Sequence, residues 1–316
     1  MSSPSIDVTM KTSLDQLSQN LADLCLPLDN EVPELNEVPS PLSFLRDWCG
    51  PNKPFVVRGA ASNWQAVKQW NPDNFRKRFG DKILSVAVTP NGYADAINGN
   101  YFVLPEERKM HFAKFLDIIE EPDKHNGIFY IQKQNSNLTE EFPELLDGVP
   151  ADIPWMSEAL NKTPDAINFW MGDGRAVTSL HKDHYENVYF VISGYKDILL
   201  LPPGARPWIP HRFYPTATYA EEGGRFELRP DSEGEPVPWA DWAPPAEGQE
   251  VPPGQPRPVH CRLHAGDMLY LPSLWFHHLR QSHGCIAVNY WYDMEFDVKY
   301  CYFKFLESLS TATVDK

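Results

Sequence analysis

The sequence is poor in paired cysteines, in basic residues and in long apolar runs. Its five cysteines include no C-x-x-C pair, which excludes the common zinc-ribbon spacings and a dense disulfide framework. Free thiols in a reducing compartment are expected, and Cys49, taken as an exposed thiol, is the candidate for a crosslink between two subunits. No secretory signal begins the chain, and no apolar run approaches the ~20 residues that span a bilayer. We therefore expect a soluble protein of the cytoplasm and nucleus that has no membrane partner.

Positive charge is also scarce. The chain holds 28 Lys and Arg against 43 Asp and Glu, a formal net charge of -15. Proteins that bind duplex nucleic acid usually carry a basic face, and no run rich in Lys or Arg occurs here, so we expect no nucleic-acid partner. The acidic excess is interpreted first as surface solubility. The alternative is an acidic cleft for a partner that carries Lys or Arg.

Glycine is less frequent than proline, with 18 residues against 30. This balance favours many loops and strand ends and argues against an all-helical protein. The 10 Trp and 13 Tyr residues indicate a wide interior or cleft that is lined with aromatic rings.

The chain divides into three predicted parts: an arm over residues 1–40, an α/β part over 41–127 packed on the core, and a β-rich part over 128–310. In the arm, Ser13 and Gln16 resemble a capping box, and the helix that follows ends at Pro27. Its leucines fall on one helical face: Leu14, Leu17, Leu21 and Leu24. That stripe packs either onto the core or against a second subunit.

Short apolar segments separated by Gly and Pro fill the last part, which favours a sandwich or barrel. The predicted helices cover residues 42–48, 73–79, 111–120 and 300–309. The predicted strands cover residues 55–57, 84–88, 128–131, 167–170, 188–192, 198–201, 268–271 and 286–292. Residues 202–258 interrupt this rhythm with many Pro, Gly and Glu, and we interpret them as a partly ordered surface loop inserted between two strands.

The stretch 178–187 (TSLHKDHYEN) carries the most informative motif. If His181 and Asp183 lie on a strand, their side chains leave the same face two residues apart, whereas a helix would point them to nearly opposite sides. A second imidazole would complete the two-histidine, one-carboxylate set that is typical of non-haem Fe(II) oxygenases. His277 and His278 are the candidates, and local physics does not choose between them.

Several motifs resemble those of JmjC hydroxylases, in the same order, over residues 128–292. The pattern T-x-x-H-x-D, followed by Asn187 and by 194–196 (GYK), is similar to their first metal motif, as in the asparaginyl hydroxylase that inhibits hypoxia-inducible factor. Other matching segments are 129–132 (FYIQ), 266–272 (GDMLYLP), 275–278 (WFHH) and 289–292 (NYWY). The resemblance implies a mainly β fold with flanking helices, namely a cupin-like double-stranded β-helix, or jelly roll.

The same resemblance implies the roles of the site residues. It selects His181, Asp183 and His277 as ligands of a catalytic Fe(II), with 2-oxoglutarate and O2 as co-substrates. Lys196 would pair with the far carboxylate of 2-oxoglutarate, since a buried lysine needs an anionic partner. Further pocket residues would be Thr178 and Tyr130 as donors, Asn187 and Asn289 at the chelating end, Trp291 as a wall, and Tyr189 as a core residue or a contact. His184 is expected to be structural.

The activity is implied by the resemblance alone. It is (3S)-lysyl hydroxylation of developmentally regulated GTP-binding proteins, by a homodimer joined through its helical termini. Asp95, near Tyr93, is a candidate to receive the substrate ammonium. The alternatives are a histone N-methyl demethylase, a peptidase for methylated histone tails, for which no nucleophile motif is present, and a cupin-like binding scaffold without turnover.

Overall fold

The computed structural model describes residues 12–17, 19–20, 23–24, 31–134, 136–245 and 257–311. Its strands are β1 (Glu34–Leu35), β2 (Phe55–Val57), β3 (Ile83–Thr89), β4 (Tyr93–Ala94), β5 (Ala96–Asn98), β6 (Tyr101–Leu104), β7 (Glu106–His111), β8 (Ile128–Ile131), β9 (Ala166–Gly172), β10 (Val177–His181), β11 (Tyr185–Ser193), β12 (Tyr195–Leu201), β13 (His211–Tyr214), β14 (Thr216–Glu222), β15 (Arg225–Pro230), β16 (Val237–Ala240), β17 (Val259–His264), β18 (Met268–Leu271), β19 (Phe276–Gln281) and β20 (Cys285–Asp293). Its α-helices are α1 (Pro41–Ser43), α2 (Gln65–Gln69), α3 (Pro72–Phe79), α4 (Phe112–Glu120), α5 (Asn137–Glu140), α6 (Pro154–Leu160) and α7 (Val298–Thr311). Among the helices of these described residues, none is long and apolar enough to cross a membrane.

Two facing β-sheets form the centre of the protein. Nine strands follow the order β1-β2-β18-β11-β20-β9-β8-β3-β7, and five follow the order β17-β12-β19-β10-β4. The central pairings are antiparallel, with β11 between β18 and β20 and β12 between β17 and β19. Of the eight strands β9 to β12 and β17 to β20, four lie in each sheet. This is the arrangement of a jelly roll, so the predicted fold class is confirmed.

Apolar side chains from both sheets meet in the layer between them. Tyr189 and Leu269 of the nine-stranded sheet belong to the same buried cluster as Ile198, Leu200 and Leu279 of the five-stranded sheet. Burial of this layer stabilises the sandwich by about 25 cal/mol for each Å² of apolar surface removed from water. Polar groups that enter the layer are therefore shielded from water.

A second apolar core covers the outer face of the nine-stranded sheet. Phe169 of β9 contacts the rings of Trp70, Phe75 and Phe142, with centroid separations of 5.7 Å, 6.1 Å and 5.0 Å. The helix α3 begins where the Asn71 side chain caps it, with Pro72 as its first residue, a combination that favours a helix start. The helices of this outer core support β9 and β20 on the face of the sheet that points away from the five-stranded sheet.

The predicted helices and strands from residue 42 onward are confirmed, with bounds that shift by a few residues. The first helix is the short α1 continued by a π-helix over Phe44–Cys49. In the arm, residues 12–17 are helical. The predicted Leu21 and Pro27 lie outside the described residues.

The segment 202–258 is more ordered than we expected from its composition. Its described part holds a 3-10 helix (Pro203–Trp208) and the strands β13 to β16, and β14 pairs in parallel with β6. The interpretation as a surface loop was therefore wrong for residues 202–245. High Pro content misled the prediction because edge strands tolerate proline, and Pro238 lies in the two-stranded pair of β13 and β16.

The α/β part also contributes directly to the central sheet. Strands β2, β3 and β7 pair into the nine-stranded sheet. This part of the chain therefore extends the central sheet at both of its edges.

Cys49 lies in the outer core, where it is free and buried. Burial raises the pKa of its thiol to about 12, which makes it a poor nucleophile at neutral pH. The interpretation of Cys49 as an exposed thiol, and therefore as the candidate for a crosslink, was wrong.

Candidate metal centre

The site begins where β10 pairs with β19. Thr178 pairs with Leu279 and His181 pairs with His277, so the two residues between them in β10 lie opposite a single residue of β19, His278. This β-bulge matters because regular alternation would place Thr178 and His181 on opposite faces. With the extra residue, both side chains line the same cavity between the sheets.

Asp183 reaches the site from a loop. Strand β10 ends at His181 and β11 begins at Tyr185, so the expectation that His181 and Asp183 share a strand was wrong. The connection still directs the carboxylate inward, and the backbone carbonyl of Asp183 accepts a hydrogen bond from the Leu274 amide.

Three potential ligand atoms converge, from His181, Asp183 and His277, and all lie within 4.8 Å of one another. The nitrogen Nε2 of His181 is 3.8 Å from one Asp183 oxygen, and Nε2 of His277 is 3.5 Å from the other. Each Nδ1 lies 2.9 Å from a backbone carbonyl, of Ser179 and of Trp275. Since a carbonyl only accepts, Nδ1 carries the proton and the Nε2 lone pairs face the centre.

The charge states suit a divalent cation. Burial lowers the pKa of His181 to about 4, so its imidazole is neutral near pH 7. Burial acts to raise the pKa of Asp183, but the neighbouring His181 and His277 hold it at about 2. Two imidazole nitrogens and one carboxylate form the donor set that the sequence predicted for Fe(II).

His278 and His184 lie outside this centre. The ring of His278 packs against Trp242 at 6.2 Å, on the other side of β19 from His277. The ring of His184 packs against Phe296 and Tyr300 at 6.1 Å and 5.9 Å. These contacts fit the structural role expected for His184.

A buried ammonium faces the same cavity from β12. The Lys196 side chain is 2% exposed, and its Nζ donates to the Tyr130 hydroxyl over 2.9 Å. The rings of Tyr130 and Tyr189 lie 5.4 Å and 5.7 Å from Nζ. No carboxylate of the described residues forms an ion pair with it, and burial lowers the pKa of Lys196 to about 8. Such a cation needs an anionic partner.

Two asparagines have their amide orientation set by a tryptophan. The Trp170 indole N–H donates to Asn289 Oδ1 over 2.8 Å, and Asn289 Nδ2 donates to Asn187 Oδ1 over 3.1 Å. An indole nitrogen is only a donor, so these two hydrogen bonds fix the orientation of both side-chain amides. The Asn187 NH2 group is left as a donor toward the cavity. The sequence predicted both asparagines but missed Trp170.

The remaining predicted residues also line this cavity: Thr178, Tyr189 and Trp291. The Trp291 ring stacks on Tyr185 at 4.8 Å with an interplanar angle of 1°, which fits its predicted role as a wall.

The insertion supplies a second wall that the sequence analysis missed. Trp239 of β16 stacks against His181 with a centroid distance of 6.1 Å and an interplanar angle of 7°. Its indole N–H donates to Ser179 Oγ over 3.1 Å, and that hydroxyl donates to the Asp95 carbonyl over 3.1 Å. Ser179 therefore connects the insertion, a metal-ligand candidate and the segment that carries Asp95. Two tryptophans in a Pro-rich stretch were the available signal.

Outside the triad, a cleft of about 810 Å³ opens toward solvent and reaches His181 and Asp183. Its wall carries the carboxylates of Asp95 and Glu107, whereas the ammonium groups of Lys133 and Lys182, which also line it, pair with Glu141 and Glu307. Burial raises the pKa of Asp95 to about 6, although Gln132 donates a 3.0 Å hydrogen bond to it. The carboxylate remains mostly ionised at pH 7, so the cleft is acidic.

Comparisons with known proteins agree with this architecture. The model of the family described as cupin-like domain matches residues 41–298. The human bifunctional peptidase and (3S)-lysyl hydroxylase JMJD7 is 48% identical over 96% of both chains. Lysine-specific demethylase JMJ32 of Arabidopsis thaliana is 38% identical over 90% of this chain and 88% of its own. JmjC domain-containing protein E of Dictyostelium discoideum is 35% identical over 86% of each.

The adjacent histidines of β19 give a matched pair of variants. His277→Ala should weaken Mn(II) binding by more than roughly a hundredfold, beyond the loss typical of residues that only orient a ligand. His278→Ala should bind Mn(II) as the unmodified protein does, because its ring faces Trp242. Calorimetric titration measures both affinities, and circular dichroism checks that both variants are folded. Equal affinities would remove His277 from the ligand set.

Lys196 should make 2-oxoglutarate binding depend on pH. Its ammonium is charged below a pKa of about 8 and neutral above it. Affinity should therefore fall by roughly tenfold for each unit above that pH. Titration of Zn(II)-loaded protein with 2-oxoglutarate, without turnover, measures the profile. Lys196→Met should bind weakly at every pH, and a flat profile in the unmodified protein would contradict the role of Lys196.

Proposed function

We propose that this chain, which belongs to the cupin-like family of JmjC 2-oxoglutarate oxygenases, hydroxylates a lysine side chain of a protein substrate. The observation that carries the proposal is the convergence of His181, Asp183 and His277 between a buried ammonium and an acidic cleft. The first fits the anionic co-substrate and the second fits a cationic substrate.

In this proposal His181, Asp183 and His277 hold Fe(II). Three protein ligands on one side leave the other coordination positions open. When bound, iron and 2-oxoglutarate supply the oxidation that inserts one atom of O2 into a C–H bond. The hydrogen bonds from each Nδ1 to a carbonyl keep the imidazoles in the ligating tautomer.

Lys196 and Tyr130 hold the far carboxylate of 2-oxoglutarate. The support is the fully buried Nζ, which has a hydroxyl but no carboxylate partner among the described residues. Thr178 adds a hydroxyl from the bulged strand, and Asn187 offers its NH2 group at the chelating end. Trp291 and Trp239 exclude water from the two sides of the centre.

Asp95 receives the substrate ammonium at the mouth of the site. It adopts a left-handed backbone conformation, with φ of 51°, which Asp tolerates better than most residues. Gln132 and Ser179 hold its carboxylate and its carbonyl. A charge-assisted contact at a fixed distance from the iron would choose which carbon of the lysine chain is oxidised.

The human relative is named a bifunctional peptidase and (3S)-lysyl hydroxylase. We carry over the hydroxylase activity and, as in the sequence analysis, propose a GTP-binding protein of the developmentally regulated class as substrate. The acidic cleft supports a charged, unmethylated lysine, which keeps its full hydrogen-bonding capacity. Demethylation would use the same iron chemistry on an N-methyl carbon.

Mass spectrometry of a lysine peptide distinguishes these activities. With Fe(II), 2-oxoglutarate and O2, the unmethylated peptide should gain one oxygen, with equimolar succinate. His181→Ala and Asp183→Ala should form no succinate while keeping the fold. Loss of a methyl group from a methylated peptide alone would favour the demethylase, and no turnover with any peptide would favour a binding scaffold.

Asp95→Asn should raise KM for the lysine peptide by about ten- to a hundredfold, since a hydrogen bond to a charged group contributes about 1.5–3 kcal/mol. Asparagine keeps the shape and tolerates the same φ. Asp81→Asn removes the same charge from an exposed position and should leave KM unchanged. An unchanged KM in Asp95→Asn would remove this residue from the substrate site.

We also propose that the protein is a homodimer joined through its terminal helices. Val298, Tyr302 and Phe305 fall on one face of α7 and are 62%, 68% and 55% exposed. Tyr302 and Phe305 line an apolar cavity of about 860 Å³ together with Leu17 and Leu24 of the arm. A second copy would cover this apolar surface.

Light scattering after size exclusion should report a dimer for the unmodified chain and a monomer for Phe305→Asp. Phe213→Asp, at an equally exposed position of β13 (64%), should remain dimeric. A monomeric unmodified chain at micromolar concentration would overturn the proposal.

A further inference from the structure

A second cavity, of about 360 Å³, lies beside the metal centre, and we name it the basic pocket. It shares His181, Lys182 and Trp239 with the acidic cleft. Its remaining walls come from the insertion and from α7, together with Leu180 of β10 and Phe276 of β19. The two cavities are thus neighbours at the same metal centre.

Cations outnumber anions among the residues that line the basic pocket. They include Lys182, Arg206, Arg212 and Lys304, against the single carboxylate of Glu307, and Arg212 also lies 3.8 Å from Asp241 outside the pocket. Glu307 lies 3.4 Å from Lys182 Nζ and 2.6 Å from Lys304 Nζ, so one anion serves two ammonium groups. In a chain of net charge -15, such a local excess of positive charge attracts an anion.

Arg206 is the residue least satisfied by the protein itself. It is 4% exposed, and one terminal nitrogen donates to the Ile209 carbonyl over 3.3 Å. Its Nε has no hydrogen-bond partner, and none of the described carboxylates lies within ion-pair distance of it, although Glu307 acts on it at longer range. A buried guanidinium without an anion is costly, and a carboxylate is the partner that its planar donors match best.

We propose that the basic pocket binds an acidic side chain of the same polypeptide whose lysine enters the acidic cleft. The inference rests on the proposed lysyl hydroxylation. A free anion would not explain why the pocket opens beside His181 and Trp239, whereas a substrate that lies across the centre meets both cavities. The order of charges, negative cleft then positive pocket, would fix the direction in which the polypeptide crosses the iron and reject segments that lack the acidic residue.

Paired lysine peptides test this arrangement. Each pair differs only by Glu or Gln at one position, which is moved along the peptide on either side of the lysine. Fluorescence anisotropy measures affinity for the full chain, and turnover measures KM. At one position the Glu peptide should bind roughly tenfold more tightly than its Gln partner, as a charge-assisted pair predicts.

Variants of the basic pocket should change this preference in opposite directions. Arg206→Met should erase it, and the exposed Lys304→Gln, which leaves the buried residues intact, should weaken it severalfold. Glu307→Gln removes the competing carboxylate and should strengthen the preference. Lys114→Gln removes one positive charge from the exposed face of α4 and should leave the preference unchanged.

The two proposals fail in distinguishable ways. Hydroxylation with equal affinity for Glu and Gln peptides at every position would overturn the basic pocket and leave the hydroxylase intact. A Glu preference that follows the variants, without oxygen gain on any lysine, would support the pocket and overturn the reaction. Weak binding of every peptide, with neither preference nor oxygen gain, would overturn both.

Discussion

The site depends on the pairing of β10 with β19 and on the one extra residue in β10. That residue turns His181 into the layer between the sheets while Thr178 still faces inward. A shift of the pairing by one residue would move His277 out of the layer together with its neighbours. The metal triad and the pocket beside it therefore share one structural cause, which is the register of two strands held by apolar cores on both sides.

Charge in this protein is arranged locally, and the net value of -15 describes none of the three cavities well. Lys196 places positive charge between the sheets, Asp95 and Glu107 place negative charge at the cleft, and the basic pocket lies next to it. Ser179 keeps these regions in fixed relation through its contacts with His181, Asp95 and Trp239. Small displacements there would affect ligand orientation and both cavities together.

The sequence predicted the triad and five of the eight jelly-roll strands, namely β9, β11, β12, β18 and β20, because metal motifs and buried strands leave short, local patterns. Strands β10, β17 and β19 were not among the predicted strands. The local pattern did not choose His277 over His278, since the choice depends on which face of β19 looks inward, and only the resemblance to JmjC hydroxylases selected His277. It placed Asp183 on a strand because a bulge and a strand end leave no clear local signal. Trp239 and Arg206 were missed because their roles arise from the pairing of an insertion whose composition indicated a loop.

Lys196 and Arg206 break the same rule, since each is a buried cation that forms no direct ion pair with a carboxylate of the described residues. The buried carboxylate of Asp267 shows the usual solution, a 2.8 Å ion pair with the exposed Arg58. A protein selected only for stability would lose the unpaired cations or supply carboxylates beside them, because each costs free energy when left alone. Departures from local consistency of this kind mark positions where a ligand completes the structure. Lys196 and Arg206 both lie around the triad of His181, Asp183 and His277. Ligands that fill the two cavities would therefore stabilise the fold through the same groups that recognise them.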